Sequence, residues 1–141
     1  MAMVPSGQKE DLESNLFYLA RKASGVDVFP FAGGMVAVCS SRHPFKESSN
    51  EDAAALIPVD EQQGVLAIAD GCGGMAGGEQ AATLAGKNLA ATIRKTRGEA
   101  SNLRAAILDG IEQANHKVRE MGTGAATTLA VVQIDKHTIR P

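Results

Sequence analysis

Residues 65–79, VLAIADGCGGMAGGE, decide how the chain is organised. The five apolar residues 65–69 form a continuous run whose length is typical of a buried strand. Asp70 and Gly71 follow at once, and the next seven residues contain four glycines. The stretch therefore predicts a buried strand, then a glycine-rich turn, then a helix that starts near Glu79.

Two helices are predicted after this turn. Apolar residues recur at steps of three and four in 82–93 and again in 103–118, which indicates two amphipathic helices in succession. Apolar or β-branched runs predict strands at 35–39, 53–59, 65–69 and 127–134. Because two consecutive helices separate the strands, we expect an α+β fold with layered sheets rather than alternating βαβ units.

The ends of the chain give weaker patterns. Residues 1–34 are expected to hold a loose leader up to residue 13 and a first element at 16–23, which fits a helix or a strand. Residues 137–140 are expected to begin a hairpin partner for the last strand. We assign residues 35–141 to the main domain.

Composition excludes several classes of protein. The chain has 141 residues, a net charge of −2 and 4% aromatic residues without tryptophan, so neither a basic nucleic-acid groove nor a stacking platform is expected. No apolar run approaches the roughly 20 residues of a membrane span, and the polar N-terminus is unlike a signal peptide. The two cysteines, Cys39 and Cys72, are expected to be free thiols in the cytoplasm.

Acidic residues beside two predicted strands suggest a metal site. Asp70 ends a buried strand, where an unpaired carboxylate is costly. A hard divalent cation is one possible partner, and Gly71 would let its carbonyl approach such an ion. Glu51 and Asp52 precede another strand and could hold waters of the ion. Each feature alone is also compatible with an ordinary turn or a solvated acidic pair.

Taken together, three segments resemble the first half of type 2C metal-dependent serine/threonine protein phosphatases, especially the bacterial branch. These are NED at 50–52, ADGCGGMAGGE at 69–79 and GTGAATTL at 122–129. The resemblance covers about residues 35–134, and the middle segment is its most specific part. It implies a partial α-β-β-α sandwich of antiparallel sheets with paired helices, of which this chain would supply the N-terminal portion.

The resemblance also implies an activity and a site. Asp70 would bridge two Mn²⁺ or Mg²⁺ ions and act in catalysis through the water that they activate. Gly71 would offer its carbonyl to one ion, and Glu51 and Asp52 would order metal-bound water. The substrate would be a protein phosphorylated on serine or threonine. Thr127 and Thr128 would pack beside the site.

The chain departs from the family in three ways. Glu47 stands where relatives usually have a phosphate-binding arginine, so Arg42 or Lys46 is the possible substitute. Cys72 stands where some relatives have a histidine that acts as general acid. The later metal-binding aspartates of the family are missing, since Asp109 falls in a predicted helix and Asp135 in a turn. The fragment alone is therefore expected to be inactive, to bind metal weakly and to self-associate, with 127–134 as a candidate contact.

Other functions stay open at this point. Glu47 favours a non-catalytic, phosphatase-like binding or regulatory module. Residues 71–76 formally match the G-x-G-x-x-A pattern of a dinucleotide-binding turn, although two helices follow it before the next strand. A cysteine phosphatase would need arginine where Gly78 stands. His43, His116 and His137 show no ligand spacing and are predicted to be surface residues.

Overall fold

The computed structural model describes residues 9–12, 15–19, 25–45, 47–72, 77–95 and 102–141. The strands are β1 (Lys9–Leu12), β2 (Asn15–Leu19), β3 (Val26–Phe31), β4 (Gly34–Cys39), β5 (Asp52–Pro58), β6 (Gln63–Asp70), β7 (Ala130–Asp135) and β8 (Thr138–Arg140). The helices α1 (Gly78–Lys95) and α2 (Leu103–Glu120) separate β6 from β7.

Six strands form one antiparallel sheet in the order β1-β2-β5-β6-β7-β8, while β3 and β4 form a separate antiparallel hairpin. The central pair of the large sheet is β5 and β6, which run side by side from Asp52 opposite Asp70 to Pro58 opposite Gly64. Every strand pair in the described residues is antiparallel. The predicted α+β class with antiparallel sheets is therefore confirmed.

Helix α1 covers one face of the large sheet, and α2 packs against α1. Phe17 of β2, Ile57 of β5 and Val65 of β6 pack against Leu89 and Ile93 of α1. All five are almost completely buried. Burial of a side chain of this size stabilises the fold by roughly 1.5–3 kcal/mol, so this layer is the main core and anchors α1 on the sheet.

The two helices approach each other closely at Gly110. A Cβ atom at this position would lie 2.8 Å from Cδ1 of Leu89 on α1. Gly110 is thus part of a helix–helix contact, and the prediction that Asp109-Gly110 lies inside the second helix is confirmed. Neither α1 nor α2, the helices in the described ranges, has the length and apolarity needed to cross a membrane.

The β3–β4 hairpin covers part of the opposite face of the large sheet. Phe31 packs with Tyr18 and Leu56 in a second apolar cluster, and the Tyr18 hydroxyl donates a hydrogen bond to Oδ2 of Asp27, 3.1 Å away. The hairpin turn places Ala32 and Gly33 at φ values of 49° and 76°. Two successive residues with positive φ are typical of the tight turns that match strand twist.

Most predicted elements are confirmed to within two residues: the strands at 35–39, 53–59 and 65–69, and the hairpin partner at 137–140. The first element, predicted at 16–23, is the strand β2 at Asn15–Leu19, and residues 20–23 lie outside the described residues. Two predictions were wrong. The strand at 127–134 starts only at Ala130, and β1 occupies part of the expected leader.

Candidate functional site

Two aspartates meet at one end of the large sheet. Asp52, the first residue of β5, lies directly opposite Asp70, the last residue of β6. Directly opposed residues of an antiparallel pair project to the same face, with Cβ atoms about 4.5–5.5 Å apart. Both side chains are exposed. Since like charges at opposed positions destabilise a sheet, this pair favours a cation between or beside the carboxylates.

The backbone around Asp70 is held on both sides. The Gly71 amide donates to the Glu51 carbonyl at 3.1 Å, and the Thr128 amide donates to the Asp70 carbonyl at 2.9 Å. The Thr128 hydroxyl also accepts a hydrogen bond from the Asp70 amide at 3.2 Å. Thr127 forms an isolated bridge with Gly71. The two threonines thus support the end of β6, as predicted for residues that pack beside the site.

Gly71 and Gly78 allow the start of α1 to sit tightly against the strand ends. A Cβ atom on Gly71 would lie 2.3 Å from the Gly78 carbonyl oxygen and 2.8 Å from that of Glu51. A Cβ atom on Gly78 would lie 2.8 Å from Oε1 of Glu51. The Glu51 carboxylate therefore lies at the N-terminus of α1, where the helix dipole favours negative charge.

The loop before β5 is fastened by Asn50. This side chain is buried, and its Nδ2 donates to Oγ of Ser40 at 3.0 Å. Its Oδ1 accepts a hydrogen bond from the Asp52 amide, also at 3.0 Å. Asn50 therefore ties the start of β5 to the end of β4 and fixes the strand end that carries Asp52.

These segments enclose an open cleft of about 520 Å³. Its lining includes every predicted site residue in the described part of the chain: Arg42, Glu51, Asp52, Asp70 and Gly71. Arg42 comes from the loop between β4 and β5, and its Nη1 donates to the Glu47 carbonyl at 3.3 Å. Lys46, the other predicted phosphate ligand, lies outside the described residues.

The sequence analysis missed several polar residues of the cleft. Ser41, His43, Ser48 and Ser49 also line it. The loop that carries them joins the end of β4 to the start of β5, so both of its ends converge on the acidic residues. This connection could have predicted that the loop lines the cleft, because a loop that ends next to Asp52 lies at the same end of the sheet. Cys72 is exposed and is not among the cleft residues.

The donor set of the cleft fits a hard divalent cation in chemical type. Carboxylate and carbonyl oxygens are the ligands that Mg²⁺ and Mn²⁺ prefer. Within residues 9–12, 15–19, 25–45, 47–72, 77–95 and 102–141, however, no group of three or more His, Cys, Asp or Glu side chains is close enough to hold an ion. Asp52 and Asp70 would thus form only part of a metal site.

The chain matches no protein-family model, no curated protein and no solved structure. The fold itself argues against the dinucleotide-binding alternative. That motif joins two parallel strands through one helix, whereas β6 is followed by two helices and pairs with β7 in antiparallel fashion. The candidate site is therefore defined by its own residues, an acidic sheet end facing a loop with one arginine.

Proposed function

We propose that this chain is the N-terminal part of a metal-dependent serine/threonine protein phosphatase of the type 2C kind, in a partial α-β-β-α sandwich. The observation that carries the proposal is the opposed pair of Asp52 and Asp70 in one cleft with Arg42. Carboxylates for cations and a guanidinium for an anion line the same cleft. This arrangement suits a phosphate ester that is bound together with divalent metal.

Each residue has a role in this proposal. Asp70, with the carbonyl of Gly71, would hold Mn²⁺ or Mg²⁺, and Asp52 and Glu51 would order the waters around the ions. When bound, the two ions lower the pKa of a water molecule and stabilise the negative charge that develops on the phosphoryl group. Arg42 orients the phosphoryl oxygens, since a guanidinium donates paired hydrogen bonds to phosphate.

The substrate we propose is a phosphoserine or phosphothreonine protein in the cytoplasm. The cleft is open enough to admit a side chain that protrudes from a protein surface, and it lacks the apolar enclosure typical of a site for a small ligand. The free cysteines Cys39 and Cys72 are compatible with a reducing compartment.

The 141-residue chain by itself is proposed to be inactive. Few protein ligands reach either ion, and divalent affinity depends on the number and rigidity of charged ligands. Calorimetric titration of this chain with Mn²⁺ tests that point, and micromolar binding of two ions would contradict it.

The activity is tested on the protein that contains this chain. We expect hydrolysis of a phosphoserine peptide and of p-nitrophenyl phosphate with Mn²⁺, and loss of both in EDTA. Asp70→Asn should abolish turnover, because it removes the shared metal ligand. Asp109→Asn is the matched control, since Asp109 is exposed on α2. Equal activity of Asp70→Asn and the wild type would refute the proposal. Mn²⁺ binding without turnover would favour the non-catalytic module.

A further inference from the structure

The imidazole of His43 is held in one orientation by its own loop. The Phe45 amide donates a hydrogen bond to Nδ1 of His43 across 3.2 Å. The phenyl ring of Phe45 meets the imidazole edge to face, with ring centroids 5.9 Å apart. Because Nδ1 accepts a hydrogen bond, the neutral ring carries its proton on Nε2.

The orientation of the ring has a chemical consequence. Because Nδ1 accepts the hydrogen bond from the Phe45 amide, the neutral ring offers its Nε2–H as a hydrogen-bond donor. In a cleft that already holds three carboxylates and Arg42, such a donor contacts an anion without adding charge.

We propose that His43 is a substrate-binding residue that donates a hydrogen bond from Nε2 to a phosphoryl oxygen beside Arg42. The inference rests on the proposed function in one respect, namely that the ligand is a phosphate monoester. It assigns the place of the missing family arginine to a pair of adjacent residues, one charged and one neutral. Both belong to the loop between β4 and β5 and line the same cleft as Asp52 and Asp70.

Nitrogen NMR of the three histidines tests the proposal without any catalysis. His116, whose Nε2 pairs with Glu120 at 3.0 Å, and His137 in the β7–β8 turn serve as internal controls in the same spectrum. For the neutral ring of His43 we expect the Nε2–H tautomer. Inorganic phosphate, added with saturating Mg²⁺, should shift the His43 signals and leave those of His116 and His137 unchanged.

Variants separate binding from structure. His43→Ala should weaken phosphate binding by about tenfold or more, as for loss of a hydrogen bond to a charged group, and His43→Gln should restore part of it through its amide. His137→Ala is the matched control. A His43 proton on Nδ1, or phosphate shifts that bypass His43, would overturn the inference. Phosphate shifts at His43 in a protein without phosphatase activity would refute the proposed function alone, whereas activity with an unchanged KM in His43→Ala would refute this inference alone.

Discussion

Gly71→Ala tests how tightly the site depends on the contact between β6 and α1. The added methyl group would lie 2.3 Å from the Gly78 carbonyl oxygen, 2.5 Å from the Gly78 carbonyl carbon and 2.8 Å from the Glu51 carbonyl oxygen. These neighbours are backbone atoms, so no side chain can rotate away. The start of α1 must move, or the end of β6 must move with Asp70.

The expected cost follows from this overlap. Inserting a methyl group into a packed site costs about 1–3 kcal/mol. For a chain of this length, each kcal/mol corresponds to roughly 3–4 °C in Tm, so Tm should fall by about 3–12 °C. The effect should be present without metal, because it comes from packing between protein atoms.

Gly86→Ala is the matched control for this experiment. Gly86 lies within α1, and its added Cβ would be 3.9 Å from Cβ of Ala55, an ordinary contact. Replacing a helical glycine by alanine is expected to stabilise by about 0.8–1 kcal/mol. Thermal unfolding followed by circular dichroism measures both variants. If Gly71→Ala unfolds at the wild-type temperature or above, the close packing of β6 on α1 is incorrect.

Three further outcomes are expected from the same geometry. Asp70→Asn should raise the Tm of the metal-free protein by roughly 1–4 °C, since the repulsion between Asp70 and Asp52 costs about 0.2–1 kcal/mol. A fall in Tm would contradict this repulsion. Thr128→Val should lower stability in urea by about 0.5–1.5 kcal/mol through loss of its hydrogen bond to the Asp70 amide; an unchanged midpoint would show that this bond contributes nothing. Self-association is expected at the open edge of β4, because its sequence GMVAVC has neither charge nor proline. Ala37→Lys on β4 should therefore reduce light scattering more than Val28→Lys on β3, and equal effects of the two variants would contradict a contact through β4.

The expected contact at 127–134 for self-association stays a prediction, and the sheet order narrows where it would lie. β8 pairs with β7 at Gln133, Ile134 and Asp135, so the edge of β7 that β8 leaves open is 130–132. The terminal strands of the described sheets, β1, β8, β3 and β4, offer further open edges. Within the hairpin, β3 is less prone than β4 to pair with another chain, since β3 contains Asp27 and Pro30.

Local sequence patterns predicted those strands and helices whose apolar residues match the burial of their positions in the fold. The apolar run before Asp70 and the stripe of 103–118 are consistent with a central strand and an amphipathic helix, and both are found. β3 was missed because Pro30 interrupts its run, and proline is tolerated there only because the strand lies at an edge. The start of β7 was misplaced because Thr127 and Thr128, although β-branched, bond to the end of β6 instead of extending a strand.

The sequence by itself determined the chemistry that the site can offer: which residues carry carboxylates, where the glycines allow close approach, and that Arg42 stands near an acidic segment. The tertiary structure alone decided which of these groups meet. The register of β5 against β6 sets Asp52 opposite Asp70, and a shift of one residue would send one carboxylate to the helix face. The path of the loop after β4 brings His43 into the same cleft. Both depend on contacts between residues far apart in the chain, which local periodicity does not record.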